Sequence, residues 1–127
     1  MSLGAMLPHL HASIHPTTLD IAWVAGIFEG EGHCCATVSS GHRPSIKVNI
    51  VQKRRWILDH IRDRFGGRVT FRKNYSICSW DANGVFARGF LMTIYKFMSP
   101  YRKRQIWGAL YPELVFEYES DNATSKK

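Results

Sequence analysis

From Thr17 onward the chain switches between two hydrophobic periods, one helical and one alternating. Ile21, Val24, Ile27 and Phe28 share one face of a helix that runs from Thr17 towards Gly32, and Thr17 and Asp20 have the spacing of a capping pair. Ala22, Gly26 and Gly30 form a second stripe of small residues, each four after the last. A glycine inside a helix costs about 1 kcal/mol relative to alanine, so two of them call for close approach by another backbone. This helix is expected to pack against a copy of itself.

The pattern then becomes strand-like. In His33–Ser39, Cys34, Ala36 and Val38 alternate with Cys35, Thr37 and Ser39; residues 41–44 read as a turn. Ser45–Val51 sets Ile46, Val48 and Ile50 against Ser45, Lys47 and Asn49. Lys53–Phe65 is helical through Ile57, Ile61 and Phe65, with Arg54, Arg55, Arg62 and Arg64 wet and Gly66-Gly67 as the stop. Arg68–Lys73 turns Val69 and Phe71 inward and Arg68, Thr70 and Arg72 outward; Asn74 leads into a fourth strand, Tyr75–Trp80. Asn83–Lys96 is a helix carried by Phe86, Phe90, Leu91 and Ile94. Ser99-Pro100 opens a last one, Tyr101–Leu110, which Pro112 stops. Trp56, Trp80 and Phe90 are expected in the core.

The order α-β-β-α-β-β-α-α defines an α+β domain: an antiparallel sheet with helices on one face and the other free for a ligand. Its 127 residues and 45% hydrophobic content suit one domain with a real core. We divide the chain into a loose tail (1–16), a single domain (17–112) and an acidic, polar tail (113–127). No apolar run reaches the ~20 residues of a membrane span, so no membrane partner is expected. Cys34, Cys35 and Cys78 fit neither a disulfide framework nor a zinc pattern. His9, His11 and His15 have ligand-like spacing, but a flexible tail seldom holds a metal.

Charge narrows the function. Residues 1–42 contain no Lys or Arg, whereas 43–104 hold fifteen against three acids, Asp59, Asp63 and Asp81. Such a block suits a phosphate backbone or an anionic membrane. Its placement partly on strands favours nucleic acid, because a two-stranded ribbon fits the major groove.

Val24-Ala-Gly-Ile-Phe-Glu-Gly-Glu-Gly32 resembles the nine-residue LAGLIDADG motif of homing endonucleases. The segment from Ile46 through Gln52-Lys53 to Phe65-Gly66-Gly67 resembles that family's second strand and second helix, and Arg102-Lys-Arg-Gln105 its basic K-x-x-Q stretch. The resemblance covers roughly residues 17–112. It implies a LAGLIDADG-type α-β-β-α-β-β-α fold with a saddle-shaped sheet, and a homodimer cutting both strands of a long, nearly palindromic double-stranded DNA. Two motif helices would meet through Ala22, Ala25 and Gly26.

The same resemblance assigns the chemistry. Glu31 falls at the position of the metal-binding acid, and the carbonyl of Gly30 at that of an auxiliary ligand, for Mg²⁺ or Mn²⁺. Glutamate replaces the commoner aspartate there. Gln52 would hold water around the nucleophile, and Arg102 would sit near the scissile phosphate, with Lys103 as the alternative. Glu29 reads as structural. Cys35, Thr37, Ser39, Arg43, Lys47, Asn49, Arg68, Thr70 and Arg72 would face DNA. The implied setting is intracellular and DNA-associated. The competing readings are a non-cleaving DNA-binding regulator, which has no need of the motif acid, and an intron maturase acting on RNA.

Overall fold

The computed structural model describes residues 15–37, 44–73 and 76–112. Four helices and four strands follow in order: α1 (Thr18–Glu31), β1 (Gly32–Thr37), β2 (Ser45–Gln52), α2 (Arg55–Phe65), β3 (Arg68–Arg72), β4 (Ile77–Asn83), α3 (Gly84–Ile94) and α4 (Pro100–Leu110). A 3₁₀ turn at Tyr95–Phe97 precedes α4. The strands form one antiparallel sheet in the order β1-β2-β4-β3. The α+β expectation holds.

Both expected caps form. The Thr17 hydroxyl accepts the Asp20 N–H at 3.1 Å, and the Asp20 carboxylate accepts the Thr17 N–H at 2.9 Å, so two donors at the helix start are satisfied reciprocally. These bonds, the one to the Thr17 backbone foremost, hold the Asp20 carboxyl below its usual range. Ser99 caps α4 by accepting the Arg102 N–H, with Pro100 first in the helix.

Helix α1 is apolar on two sides. Val24, Ala25 and Phe28 are buried in the chain's own core, while Leu19, Ala22, Gly26 and Gly30 are exposed. The expectation for Ala25 is therefore corrected: at 2% exposure it has no surface left to give a partner. The chain passes from α1 into β1 without a loop. That tight entry requires glycine at 32, because a Cβ there would collide with the Phe28 ring.

Trp80 anchors the centre, 1% exposed, donating its indole N–H to the Gly66 carbonyl at 2.8 Å. Phe90 meets Phe28, Phe65 and Trp80, and the first two contacts are edge-on. Gly66 and Gly67 turn the chain with φ of 80° and 95°, a region L side chains rarely adopt. Helix α2 lies antiparallel to α1: Arg64 pairs with Asp20 at 3.6 Å, and His60 meets Trp23 edge-on at 4.9 Å.

Several other expectations need correction. Trp56 is 61% exposed, because α2 begins at Arg55 and its buried positions are Leu58 and Ile61. Phe71 is 52% exposed on the edge strand β3. Arg62 and Arg64 are half-buried ion-pair partners of α2 and α1 acids. Strand β4 ends at Asn83, three residues beyond Trp80, since pairing with Lys47, Val48 and Asn49 outweighs the weak strand propensity of Asp81, Ala82 and Asn83. Tyr75 and Asn74 lie outside the described residues. No described helix is long and apolar enough to cross a membrane.

Candidate nucleic-acid interface

Strand alternation puts Cys34, Val48, Ile50, Cys78, Trp80 and Ala82 under the helices, all buried. The odd-numbered residues of β1, β2 and β4 are left on the outer face, together with the even-numbered ones of β3. The register groups these into cross-strand rows. One runs His33, Asn49, Asp81, Arg68 across all four strands; a second runs Cys35, Lys47, Asn83; a third joins Val51, Ser79 and Thr70. All of these except Val51, together with Arg72, line a concavity of about 530 Å³.

Of the expected DNA-facing residues, Cys35, Lys47, Asn49, Arg68, Thr70 and Arg72 meet in this concavity. Thr37 is exposed at the end of β1. Ser39 and Arg43 lie outside the described residues. The threonines are already partly committed: Thr37 donates its hydroxyl to the Ser45 carbonyl at 3.1 Å, and Thr70 donates to the Ser79 carbonyl at 3.5 Å. Both keep acceptor capacity only. Lys47 and Arg72 form no ion pair among the described residues. The alternation would have found Ser79 inside the expected strand and, continued past Trp80, Asp81 and Asn83; His33 was legible in the same way.

A second cleft, of about 460 Å³, opens beside the end of α1. It is lined by Glu31, Val51, Gln52, Lys53, Arg54 and Ile77. The register explains the meeting. Gly32 pairs with Ile50, so stepping back one residue on β1 and forward on β2 brings Glu31 level with Val51 and the β2 end. Two of the expected site residues, Glu31 and Gln52, are therefore neighbours. Lys53 and Arg54 were read as part of a solvated helix start; both are exposed, and they supply this cleft with positive charge.

Arg102 packs against the end of α1. Its side chain is 13% exposed. It donates through Nε to the Glu29 carbonyl at 3.0 Å and through Nη1 to Gln105 at 2.7 Å, with its guanidinium over the Phe28 ring at 5.6 Å. This cation holds the end of α1, and it is not among the residues that line the Glu31 cleft. Lys103 is half-buried, its ammonium 5.5 Å from the Tyr95 ring centre. Glu29 is structural, as expected: its carboxylate accepts the Ser99 N–H at 2.6 Å and the Ser99 hydroxyl at 3.0 Å.

All three cysteines are free thiols. Burial pushes the Cys34 thiol up to about 11. No cluster of three or more His, Cys, Asp or Glu forms a metal-binding group among the described residues. Among the described residues, one carboxylate lines this cleft, that of Glu31, which follows the helix-end carbonyl of Gly30. These are hard oxygen donors, of the kind Mg²⁺ takes along with substrate phosphates and water.

An open antiparallel sheet with a polar, basic outer face and helices packed behind it makes this chain an α+β domain with one sheet face left uncovered by the described helices. The fold is that of the LAGLIDADG homing endonucleases. The homing endonuclease I-CvuI, solved with the I-CreI target in Mg and with its DNA not cleaved, is 19% identical over 69% of this chain and 61% of its own, with a TM-score of 0.60. The archaeal intron-encoded homing endonuclease I-Vdi141I, complexed with DNA, is 22% identical over 70% and 63%, with a TM-score of 0.59. The LAGLIDADG homing endonuclease I-GzeII, in complex with its DNA target, is 16% identical over 94% and 46%, with a TM-score of 0.60. The chain thus spans less than two thirds of the length of each of these three. In sequence, no family model and no curated protein matches it.

Proposed function

We propose that the protein is a site-specific endonuclease that hydrolyses both strands of a double-stranded DNA target, as a homodimer and with a divalent metal such as Mg²⁺ or Mn²⁺. The observation that carries this reading is the exposed Glu31 carboxylate in a cleft with Gln52, Lys53 and Arg54. A carboxylate beside a polyanion repels it, at about 1 kcal/mol per charge pair at 4 Å even in bulk water. A cation between the two turns that cost into binding.

Glu31 and the Gly30 carbonyl would hold the metal, whose charge supplies a nucleophilic water at neutral pH and stabilises the oxyanion as it develops. Gln52 orients water by donating through its amide and accepting at its carbonyl. Water adds to phosphorus and one P–O bond breaks, while Lys53 and Arg54 offset the charge that builds on the phosphoryl oxygens. Arg102 acts indirectly, by fixing the end of α1 and hence the placement of Glu31.

Cutting two strands calls for two such acids, and one chain has one motif. A Cβ at Gly26 or Gly30 would meet nothing within 4 Å among the described residues, so no packing among those residues accounts for these glycines. A second copy of α1, laid along Ala22, Gly26 and Gly30, would account for them and deliver the second Glu31 by two-fold symmetry. An RNA maturase or non-cleaving regulator could use the same basic sheet, but neither needs the acid in this cleft. Incubation with a randomised duplex library and Mg²⁺ tests the reading: cut ends sharing a consensus support it, and an uncut library that is nonetheless bound would reduce the protein to a binder.

A further inference from the structure

The row His33, Asn49, Asp81, Arg68 contains the one acid that the described residues place on the outer sheet face. Asp81 works against phosphate binding there, so its position calls for a reason. Its register partner on β3 is Arg68, and Arg68 Nη2 lies 3.3 Å from Asp81 Oδ1. The two side chains differ in exposure: Arg68 is 73% exposed and Asp81 24%. The carboxylate sits low against the sheet and the guanidinium stands out above it.

A guanidinium is a planar fork of five N–H donors. A carboxylate engaging one nitrogen limits rotation of the fork and leaves the remaining donors pointing away from the sheet. Less side-chain freedom is then lost when the fork meets a ligand. A phosphate contact gains nothing from a neighbouring carboxylate, which repels it. A neutral, planar ligand with two acceptors does gain, and in the major groove that ligand is guanine, with O6 and N7.

We infer that Arg68, held by Asp81, reads a guanine at one position of each half of the DNA target, with Asp81 as a positioning residue. The inference rests on the DNA-binding reading above. It is tested by selecting bound duplexes from a randomised pool without cleavage and sequencing them. Wild type should show guanine enrichment at one position per half-site. Arg68→Ala should erase it there and nowhere else. Asp81→Asn should weaken it at the same position by roughly tenfold, within the range a bidentate base contact supplies. Both side chains are on the surface, so thermal melting should confirm folded variants.

If Asp81→Asn leaves the guanine preference intact, the positioning role fails. If Arg68→Ala keeps the preference and Asp81→Asn loses it, Asp81 accepts from a cytosine amino group directly and the inference is overturned. If wild type selects no sequence at all, sequence-specific DNA binding fails, and the inference fails with it.

Discussion

Arg102 donates its Nε–H to the backbone carbonyl of Glu29 at 3.0 Å, and the same nitrogen lies 3.6 Å from that residue's carboxylate. One guanidinium thus closes a carbonyl at the end of α1 and ties α1 to α4. The consequence is a stability role. Arg102→Ala should destabilise the fold by about 2 kcal/mol, as loss of charge-assisted bonds to the Glu29 carbonyl and the Gln105 side chain does. A double-mutant cycle with Glu29→Gln, read by urea unfolding, should show a coupling of about 0.5 kcal/mol or more. Additive effects would mean that the pair carries no energy.

The glycines of the motif should separate into two kinds. Gly32→Ala drives a Cβ into the Phe28 ring and should cost about 1–3 kcal/mol of stability, as overpacking does. Gly26→Ala meets open space and should leave the isolated fold unharmed, or help it by up to about 1 kcal/mol through helix propensity. If a partner helix lies on Gly26, however, that substitution should weaken the dimer. Light scattering at micromolar concentration distinguishes the two; a wild-type monomer would contradict the proposed assembly.

DNA binding should depend steeply on salt. The log–log slope is about 0.9 per phosphate neutralised, and Lys47, Arg72, Lys53 and Arg54 are exposed on the outer sheet face or in the Glu31 cleft. A total slope magnitude of about 3.6 follows for a dimer if two of the four touch phosphate in each protomer. Lys47→Ala should lower that slope by about one per protomer. A flat response between low and physiological salt rules against duplex DNA.

The thiols give an independent check on the core. Cys34 is 3% exposed and Cys78 2%, and burial raises the Cys34 thiol to about 11 from 9.0. Alkylation of the folded protein at pH 8 should label Cys35 alone, and all three after unfolding, since the thiolate is the reactive form. The folded thiol binds its proton more tightly than the unfolded one. Its contribution to stability is therefore complete below about pH 9 and is lost as pH rises through about 11. Cys34→Ala should remove that part of the alkaline decline.

Much of this fold was legible in the sequence because its periods are clean. Val24 and Phe28 repeat on one helix face, Val48 and Ile50 on one strand face, and the Thr17 and Ser99 caps announce their helices. The errors arise where tertiary contacts decide. Ala25 is expected, through the family resemblance, at a helix–helix contact with Ala22 and Gly26, but it lies one step around the helix, in the chain's own core. Asp81 and Asn83 lie beyond the strand expected to end at Trp80, Asn83 at the start of the next expected helix, yet they pair with Asn49 and Lys47. Trp56 looked like core by size alone, although one turn of helix start leaves it outside. Glu31 and Gln52 are named through the family resemblance, and the structure puts both in one cleft, whereas the fold of Arg102 onto Glu29 is a tertiary contact that sequence spacing does not carry. Lys53 and Arg54 entered the site only once the Gly32–Ile50 register was known.

The most direct test of the account is cleavage and binding of a selected duplex by Glu31→Gln, with Glu29→Gln alongside. Glu31→Gln keeps the size and hydrogen bonding of the side chain but removes the charge that would hold a divalent ion. A metal-activated nucleophile contributes several kcal/mol of barrier lowering, so cutting in Mg²⁺ should fall by at least about 1,000-fold while duplex binding in metal-free buffer stays equal or tightens. Glu29→Gln should instead lower the melting temperature through its lost bonds to Ser99 and Arg102, and retain cutting when folded. A Glu31→Gln protein that cuts near the wild-type rate would contradict the central claim.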